Sequence, residues 1–402
     1  MPDAADESPA PTAPHWKIAL SDPDLGPAEM EAVRRVLESR WISMGPETQA
    51  FEEEFAAEIG VQHAIAVSSG TAALHLSCLA LGLGPGDEIA QPALNFVAAA
   101  NVTAIVGARP VFCDIRSLND PTLDVGDLER RVTPAVKAAV VMHYGGAACQ
   151  MDEILAFCRK RGIAVIEDAC HGVGGSFHGK KMGALGDLAA FSFFSNKNLA
   201  IGEGGMVTTD RDDWAARIRL LRSHGMTASS WDRHWGHADS YDVLQHGLNY
   251  RMDEIRAAIG REQLKKLKAA NERRRLLARE YHRLLRGEFS ALIERGWIAP
   301  ELGVAGEEAS HHLMVVLAPN SQARQSAADH LKAQGIQTSL HYPFLPAFSA
   351  FAGKTAEKDE GAQGLAKTRQ FCRRVLTLPL HCLMSKDDVR RVVAALCAAA
   401  QS

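Results

Sequence analysis

The 402-residue chain has no apolar run long enough to cross a bilayer, so no membrane-spanning helix is expected. It also lacks a basic stripe or polybasic cluster. The net charge is -4 and spread along the chain, so neither nucleic acid nor a membrane surface is expected as a partner. The eight cysteines, at 78, 113, 149, 158, 170, 372, 382 and 397, form no CxxC pair. Met1 to Pro14, rich in Pro, Ala and Asp, lacks the basic start and apolar stretch of a signal peptide and reads as a disordered lead-in. Reduced thiols in a cytoplasmic protein follow as the expectation. No internal repeat occurs. What the chain does have is apolar residues, 47% of the total, enough for a large core in two or three domains.

From residue 61 to about 210, short apolar runs alternate with amphipathic stretches. Ala64–Val67, Glu88–Ala90, Pro110–Cys113, Ala138–Met142, Ile163–Glu167 and Ala189–Phe194 read as strands. Thr71–Leu81, Phe96–Val106 and Met151–Arg161 read as helices. Strands that are apolar throughout, rather than at every second residue, predict a mostly parallel α/β sheet covered on both faces. Beyond about 250 the texture changes. Met252–Leu267 and Ala269–Arg286 read as two helices, the second with its charge run on a solvated face. His312–Ala318 and Ile336–Leu340 read as strands flanking a helix over Gln322–Gln334, and Ser385 to Asp388 cap a last helix. This predicts a large domain over 15–260 and a smaller α+β domain over 261–402.

Four segments carry chemistry. In Val67-Ser68-Ser69-Gly70-Thr71-Ala72 a strand ends and a helix begins. Free N–H groups and the helix dipole make such a start a seat for phosphate, and Gly70 admits close approach of an anion. Taken alone, the same residues are an ordinary capped helix. In Ile163 to His171 a buried strand delivers Glu167 and Asp168, then His171, to its C-terminal edge, where parallel sheets bind ligands. A carboxylate there can hold a proton on a heteroaromatic nitrogen; a helix cap and a packed imidazole are the plain alternatives. Lys197 follows Phe191-Ser192-Phe193-Phe194-Ser195-Asn196 and precedes Gly202-Glu203-Gly204-Gly205. A single amine at the end of a buried strand invites Schiff-base chemistry. Phe96, just past a strand edge, offers a face for stacking on a cofactor ring or for core packing.

Two features mislead. Gly82-Leu83-Gly84-Pro85-Gly86 resembles a dinucleotide loop but follows a helix and precedes a strand, the wrong order, and is read as a turn. His234, His237 and His246 lack metal-ligand spacing, so no metal is expected.

In order along the chain, Met44-Gly45-Pro46-Glu47, Ser68 to Leu76, Gly82 to Glu88, Gly162 to Asp168, Phe191 to Phe193, Lys197 to Leu199, Gly202 to Met206, Leu248 to Met252 and His341-Tyr342-Pro343 resemble the DegT/DnrJ/EryC1/StrS aminotransferases. The resemblance spans about Leu25 to Leu396 and implies the fold type I architecture of pyridoxal phosphate enzymes. It implies that Lys197 forms the internal aldimine and shuttles a proton, and that Asp168 pairs with the pyridine nitrogen. Phe96 matches the stacking aromatic, and His171 matches a residue beside the ring. Gly70, Thr71, Ala72 and Ser192 match the phosphate cup. Asn249 matches a residue that reaches the phosphate from a neighbouring subunit, which implies a homodimer. Trp41, Met44, Tyr144, Arg251 and His341 fall near the substrate pocket.

Ser195-Asn196 before the lysine, and His143-Tyr144-Gly145-Gly146, depart from the common pattern and bear on substrate subgroup. Members that act as dehydratases carry histidine at the lysine position, so Lys197 favours transamination. The implied reaction moves an amino group from L-glutamate or L-glutamine to a nucleotide-linked keto-sugar. A keto-cyclitol acceptor, a related dehydratase and a non-catalytic member are the alternatives.

Overall fold

The computed structural model describes residues 16–227, 240–303, 307–352 and 364–400. The expected N-terminal lead-in and the loop residues His234 and His237 lie outside them. Helices α1 (Pro27–Ser39) and α2 (Pro46–Ile59) lead into β1 (His63–Val67), α3 (Gly70–Ala80), β2 (Glu88–Pro92), α4 (Ala98–Ile105), β3 (Arg109–Cys113), α5 (Val125–Arg131), β4 (Val136–Met142), α6 (Met151–Arg161) and β5 (Ala164–Asp168). A small hairpin, β6 (Ser176–Phe177) and β7 (Lys180–Lys181), precedes β8 (Leu188–Ser192), β9 (Gly205–Thr209) and α7 (Asp212–Arg222). The C-terminal part contains α8 (Glu254–Arg286), α9 (Ala291–Glu294), β10 (Glu307–Glu308), β11 (Met314–Leu317), α10 (Ser321–Ala333), α11 (Ala366–Arg374), β12 (Val375–Leu378) and α12 (Lys386–Ala399).

Seven strands form the main sheet in the order β1-β9-β8-β5-β4-β2-β3. The pairings through β3, β2, β4, β5 and β8 are all parallel, and β9 alone runs against both neighbours. The sheet is therefore mostly parallel, as its continuously apolar strands predict. Its topology brings the C-terminal ends of β1, β2, β4, β5 and β8 to one edge, where Ser68, Asn95, Asp168 and Lys197 follow or end their strands.

The reversed strand β9 is not expected from the sequence, where Gly202-Glu203-Gly204-Gly205 has the composition of a turn. Gly205 begins it, and a methyl group there would stand 2.4 Å from the Ser69 carbonyl oxygen. Only glycine lets this strand pass beneath the β1–α3 turn, so the composition that signals a turn here serves close packing.

Helix α8 is one 33-residue element where two are predicted. Lys268-Ala269-Ala270 contains no breaker, and alanine has the best helix propensity. Asn271 stays helical because its side chain is engaged elsewhere, its Nδ2 donating to the Val173 carbonyl at 3.0 Å. The helix spans two cores. Ala257 and Leu267 pack with Phe51, Phe55, Phe191 and Phe193, while Leu277, Tyr281 and Leu284 pack with Trp297, Val316, Leu376, Val389 and Leu396. The strand predicted at Ile336–Leu340 makes only single bridges, Ile336 with Ile18 and Ser339 with Thr377. It changes neighbours midway, so neither ladder extends, and β11 pairs with β12 instead. Ser385 caps α12 with Asp388 in a reciprocal box, as predicted. No helix among the described residues is long and apolar enough to cross a membrane.

One buried carboxylate ties the N-terminal loop to this frame. Glu254 accepts from the backbone N–H groups of Gly45 (2.8 Å), Glu47 (2.7 Å) and Thr48 (2.9 Å) and from the Thr48 hydroxyl (2.7 Å). A negative side chain thus caps the positive end of α2. Its own N–H donates to the Ile42 carbonyl at 3.2 Å, which fixes the Trp41–Met44 loop. Glu254→Ala leaves these donors without their partner and should cost on the order of 3 kcal/mol. Chemical denaturation of both proteins measures this, and an unchanged midpoint would show the cap to be dispensable.

Candidate active site

At the carboxyl edge of the sheet, β5 ends in two acids that alternate across it. Glu167 is consumed structurally. It accepts from Gly183 N–H (2.8 Å), Leu185 N–H (2.7 Å) and Gly186 N–H (2.7 Å), and lies 2.8 Å from His143 Nε2. Asp168 faces the other way, buried, with Asn95 Nδ2 donating to its Oδ2 at 3.2 Å and Cys170 N–H to its Oδ1 at 3.3 Å. The turn bond to Cys170 is the local cap considered for Asp168, but it leaves carboxylate acceptor capacity unused. Asn95 was not foreseen as a partner. It is an ordinary polar residue in a strand-edge loop, and only the β2–β5 juxtaposition reveals it.

Gly70 opens α3 directly against the end of β8. A methyl group on it would lie 2.8 Å from the Ser192 Cβ and 3.2 Å from the Cys170 Sγ. Ser69 caps the helix by accepting the Ala72 N–H at 3.1 Å, so the plain reading of this segment is also true. Thr71 is exposed and Ala72 buried. The structure thus brings Gly70, Thr71, Ala72 and Ser192 to one corner where free N–H groups can seat an anion.

Lys197 follows a tight turn in which its N–H donates to the Phe194 carbonyl at 2.8 Å. Its side chain is half-buried. Burial pulls the amine below its ordinary pKa of 10.5, and the nearby Asp168 carboxylate only partly opposes this. Asn198, next in the chain, is locked. Its Nδ2 donates to Asn271 Oδ1 and to the Ser310 carbonyl, each at 2.8 Å, and its Oδ1 lies 3.0 Å from His312 Nδ1.

The aromatic wall combines both parts of the chain. Phe96 is 54% exposed, and its centroid is 5.8 Å from that of Tyr342. His171 packs against His312 (4.2 Å, 36°) and meets the near-parallel ring of Tyr342 at its edge (5.9 Å, 24°). Burial, and then the charge of Lys197, push the His171 imidazole well below its ordinary range. His341 is pushed down to about 4 by the same two causes, and its Nδ1 lies 2.9 Å from the Thr377 hydroxyl.

The residues expected around the substrate are less uniform. Trp41 and Met44 share the loop before α2, joined by a 3.3 Å bond from the indole N–H to the Met44 carbonyl. Tyr144 lies beneath the site, fully buried against Phe371, its hydroxyl donating to the His341 carbonyl. It supports His341 rather than forming a wall. Asn249 is exposed, and neighbouring Tyr250 accepts the Ser68 N–H at 2.8 Å, so this segment runs beside the anion corner. Arg251 is half-buried in the same segment. Tyr342, His312 and Asn198 were not singled out in sequence, because neither tyrosine, histidine nor asparagine signals its spatial neighbours.

An α/β frame with an amine of lowered pKa, a buried carboxylate and an anion corner at one sheet edge defines a pyridoxal phosphate enzyme of fold type I. The family model of the DegT/DnrJ/EryC1/StrS aminotransferases matches residues 23–397, and the chain belongs to that family. It is 38% identical over 386 residues, 94% of this chain and 96% of the relative, to the spore coat polysaccharide biosynthesis protein SpsC of Bacillus subtilis. Among solved structures it resembles the aminotransferase TlmJ from Streptoalloteichus hindustanus, at 34% identity and a TM-score of 0.86, covering 95% of this chain and 98% of that one. It also resembles S. venezuelae DesV, solved in complex with a ketimine intermediate, at 33% identity and a TM-score of 0.83, covering 93% and 94%. The protein is a pyridoxal 5'-phosphate-dependent aminotransferase.

Proposed function

We propose that this aminotransferase moves the amino group of L-glutamate or L-glutamine to the keto group of a nucleotide-linked sugar, in two half-reactions at a site shared across a homodimer. The observation that carries the site is the convergence of Lys197, Asp168 and the Gly70–Ser192 corner beside the exposed face of Phe96. The residues fit the cofactor: an anion seat for its phosphate, a buried acid for its ring nitrogen and an aromatic face for its ring. Bound there, pyridoxal phosphate supplies a carbonyl that takes up the amine and a ring that accepts electrons.

The protein's own residues do the rest. Lys197 Nζ, its pKa lowered by burial, takes a proton from the substrate carbon and returns it at the neighbouring position. Asp168 holds a proton on the ring nitrogen, with Asn95 fixing its orientation. Gly70, Thr71, Ala72 and Ser192 bind the phosphate, and His171 stands at the ring edge. Trp41, Met44, Arg251 and His341 face the substrate, with Tyr144 behind His341. The sugar acceptor is supported by SpsC, which is named for polysaccharide biosynthesis.

Single-turnover assays test the reading. Glutamate or glutamine should bleach the visible band of the reconstituted protein and release one equivalent of keto acid, and a nucleotide-linked keto-sugar should restore the band. Retention of the band with both donors would reject the donor assignment. Restoration by keto-cyclitols alone would reject the sugar. Exposed Asn249 is assigned to the phosphate of the partner subunit. Asn249→Ala should therefore weaken cofactor binding by about 10-fold, the effect of one hydrogen bond to a charged group. Titration of the apoprotein reads this, and an unchanged affinity removes Asn249 from the site.

A further inference from the structure

We infer that Tyr342 is a hydrogen-bond donor to a negatively polarised ligand oxygen in this site, its O–H turned inward by a proton order that begins at the backbone. The inference rests on the cofactor site proposed above.

The order can be followed atom by atom. The Gly145 N–H can only donate, and it donates to His171 Nδ1 at 3.3 Å. A neutral imidazole whose Nδ1 accepts must carry its proton on Nε2. His171 is 2% exposed, and its burial beside Lys197, His312 and His341 keeps it neutral. Its Nε2 lies 2.9 Å from the Tyr342 hydroxyl oxygen. The imidazole therefore donates and the phenol oxygen accepts. The single phenol proton must point elsewhere, and the hydroxyl makes no second hydrogen bond among the described residues.

Ring contacts hold the two side chains in this arrangement. His312 covers one face of His171 at 4.2 Å and is itself held through Nδ1 by Asn198. Tyr342 meets the Nε2 edge of His171 with its ring near-parallel and leans on Phe96 at 5.8 Å. Burial, and then the negative Asp168, hold the phenol well above its ordinary pKa, so it remains a donor. A donor beside Phe96 and under the influence of Asp168 lies where the cofactor ring is proposed to sit. The fitting acceptors are the cofactor's ring oxygen and the carbonyl oxygen of the keto substrate, both partly negative.

Tyr342→Phe removes the proton and keeps the ring. The first arm is substrate-free. A donor on the ring oxygen stabilises its negative charge and weakens its hold on the neighbouring proton. If the cofactor oxygen is the acceptor, losing the donor raises the pH midpoint of the visible band by about one unit. If the substrate oxygen is the acceptor, the midpoint stays and kcat/KM for the keto acceptor falls by about 10-fold or more. In either case His171→Phe should reproduce part of the effect, and the double variant should be no worse than the worse single one. Site-specific fluorotyrosine at 342, a stronger donor of nearly the same shape, should shift the affected quantity in the opposite sense, and it provides the readout should Tyr342→Phe not fold. A wild-type band with Tyr342→Phe unchanged in both midpoint and kcat/KM overturns the inference, whatever its melting temperature. A wild-type protein that forms no visible band fails the site assignment instead.

Discussion

Lys197→Ala is expected to abolish the visible band of the reconstituted protein and to lower turnover by about 10^4-fold or more, the upper range for a positioned proton-transfer group. Absorbance and single-turnover kinetics with glutamate measure both, and a variant with normal turnover would remove the lysine from the mechanism. A second consequence concerns the cofactor-free protein. The amine's folded pKa lies below its unfolded value of 10.5, because burial disfavours the charge. Between those two values the unfolded chain binds more protons, so stability rises with pH across that window. Below the folded value the penalty is fully present. Lys197→Met, which keeps the apolar stem and removes the charge, should therefore be more stable than the wild-type apoprotein at pH 7, and the difference should shrink toward pH 10.5. Denaturant midpoints at the two pH values decide it. Equal stabilities at pH 7 would mean that the site does not strain its lysine.

Asp168→Asn should lower turnover by about 10^2–10^3-fold while the fold persists, a loss typical of removing one preorganised electrostatic group. The amide is nearly isosteric with the acid but keeps one acceptor oxygen, so it retains only one of the bonds from Asn95 and Cys170, and it cannot stabilise a proton on the ring nitrogen. Glu167→Gln provides the contrast. Glu167 meets four donors across the loop at 183–186 and His143, so its neutralisation should act chiefly on stability. If Asp168→Asn turned over normally and Glu167→Gln did not, the two carboxylates would have to exchange roles.

The strand that delivers Glu167 and Asp168 was legible because a buried parallel strand is apolar throughout and stops at its polar end. Which acid is free to serve a ligand was implied for Asp168 only by the family resemblance and not by the strand pattern, because it depends on which face of the sheet carries the 183–186 loop. The Ser69–Ala72 helix start was legible from its cap. Its approach to Ser192 was not, because that contact joins segments far apart in sequence through the absence of a single methyl group at Gly70. β9 was missed for a related reason, since glycines that admit a neighbouring backbone look in sequence like glycines that make a turn.

The sequence by itself determined the alternating α/β frame, the family and the presence of a lysine, an acid and a capped helix start at strand ends, because periodicity and short motifs are local properties of the chain. The tertiary structure alone decided what surrounds them: Asn95 on Asp168, His312 and Asn198 behind the lysine, and the proton order from Gly145 through His171 to Tyr342. Hydrogen-bond direction and burial are set by neighbours from other elements. Lys197 can be found in sequence, but the lowering of its pKa comes from its packing.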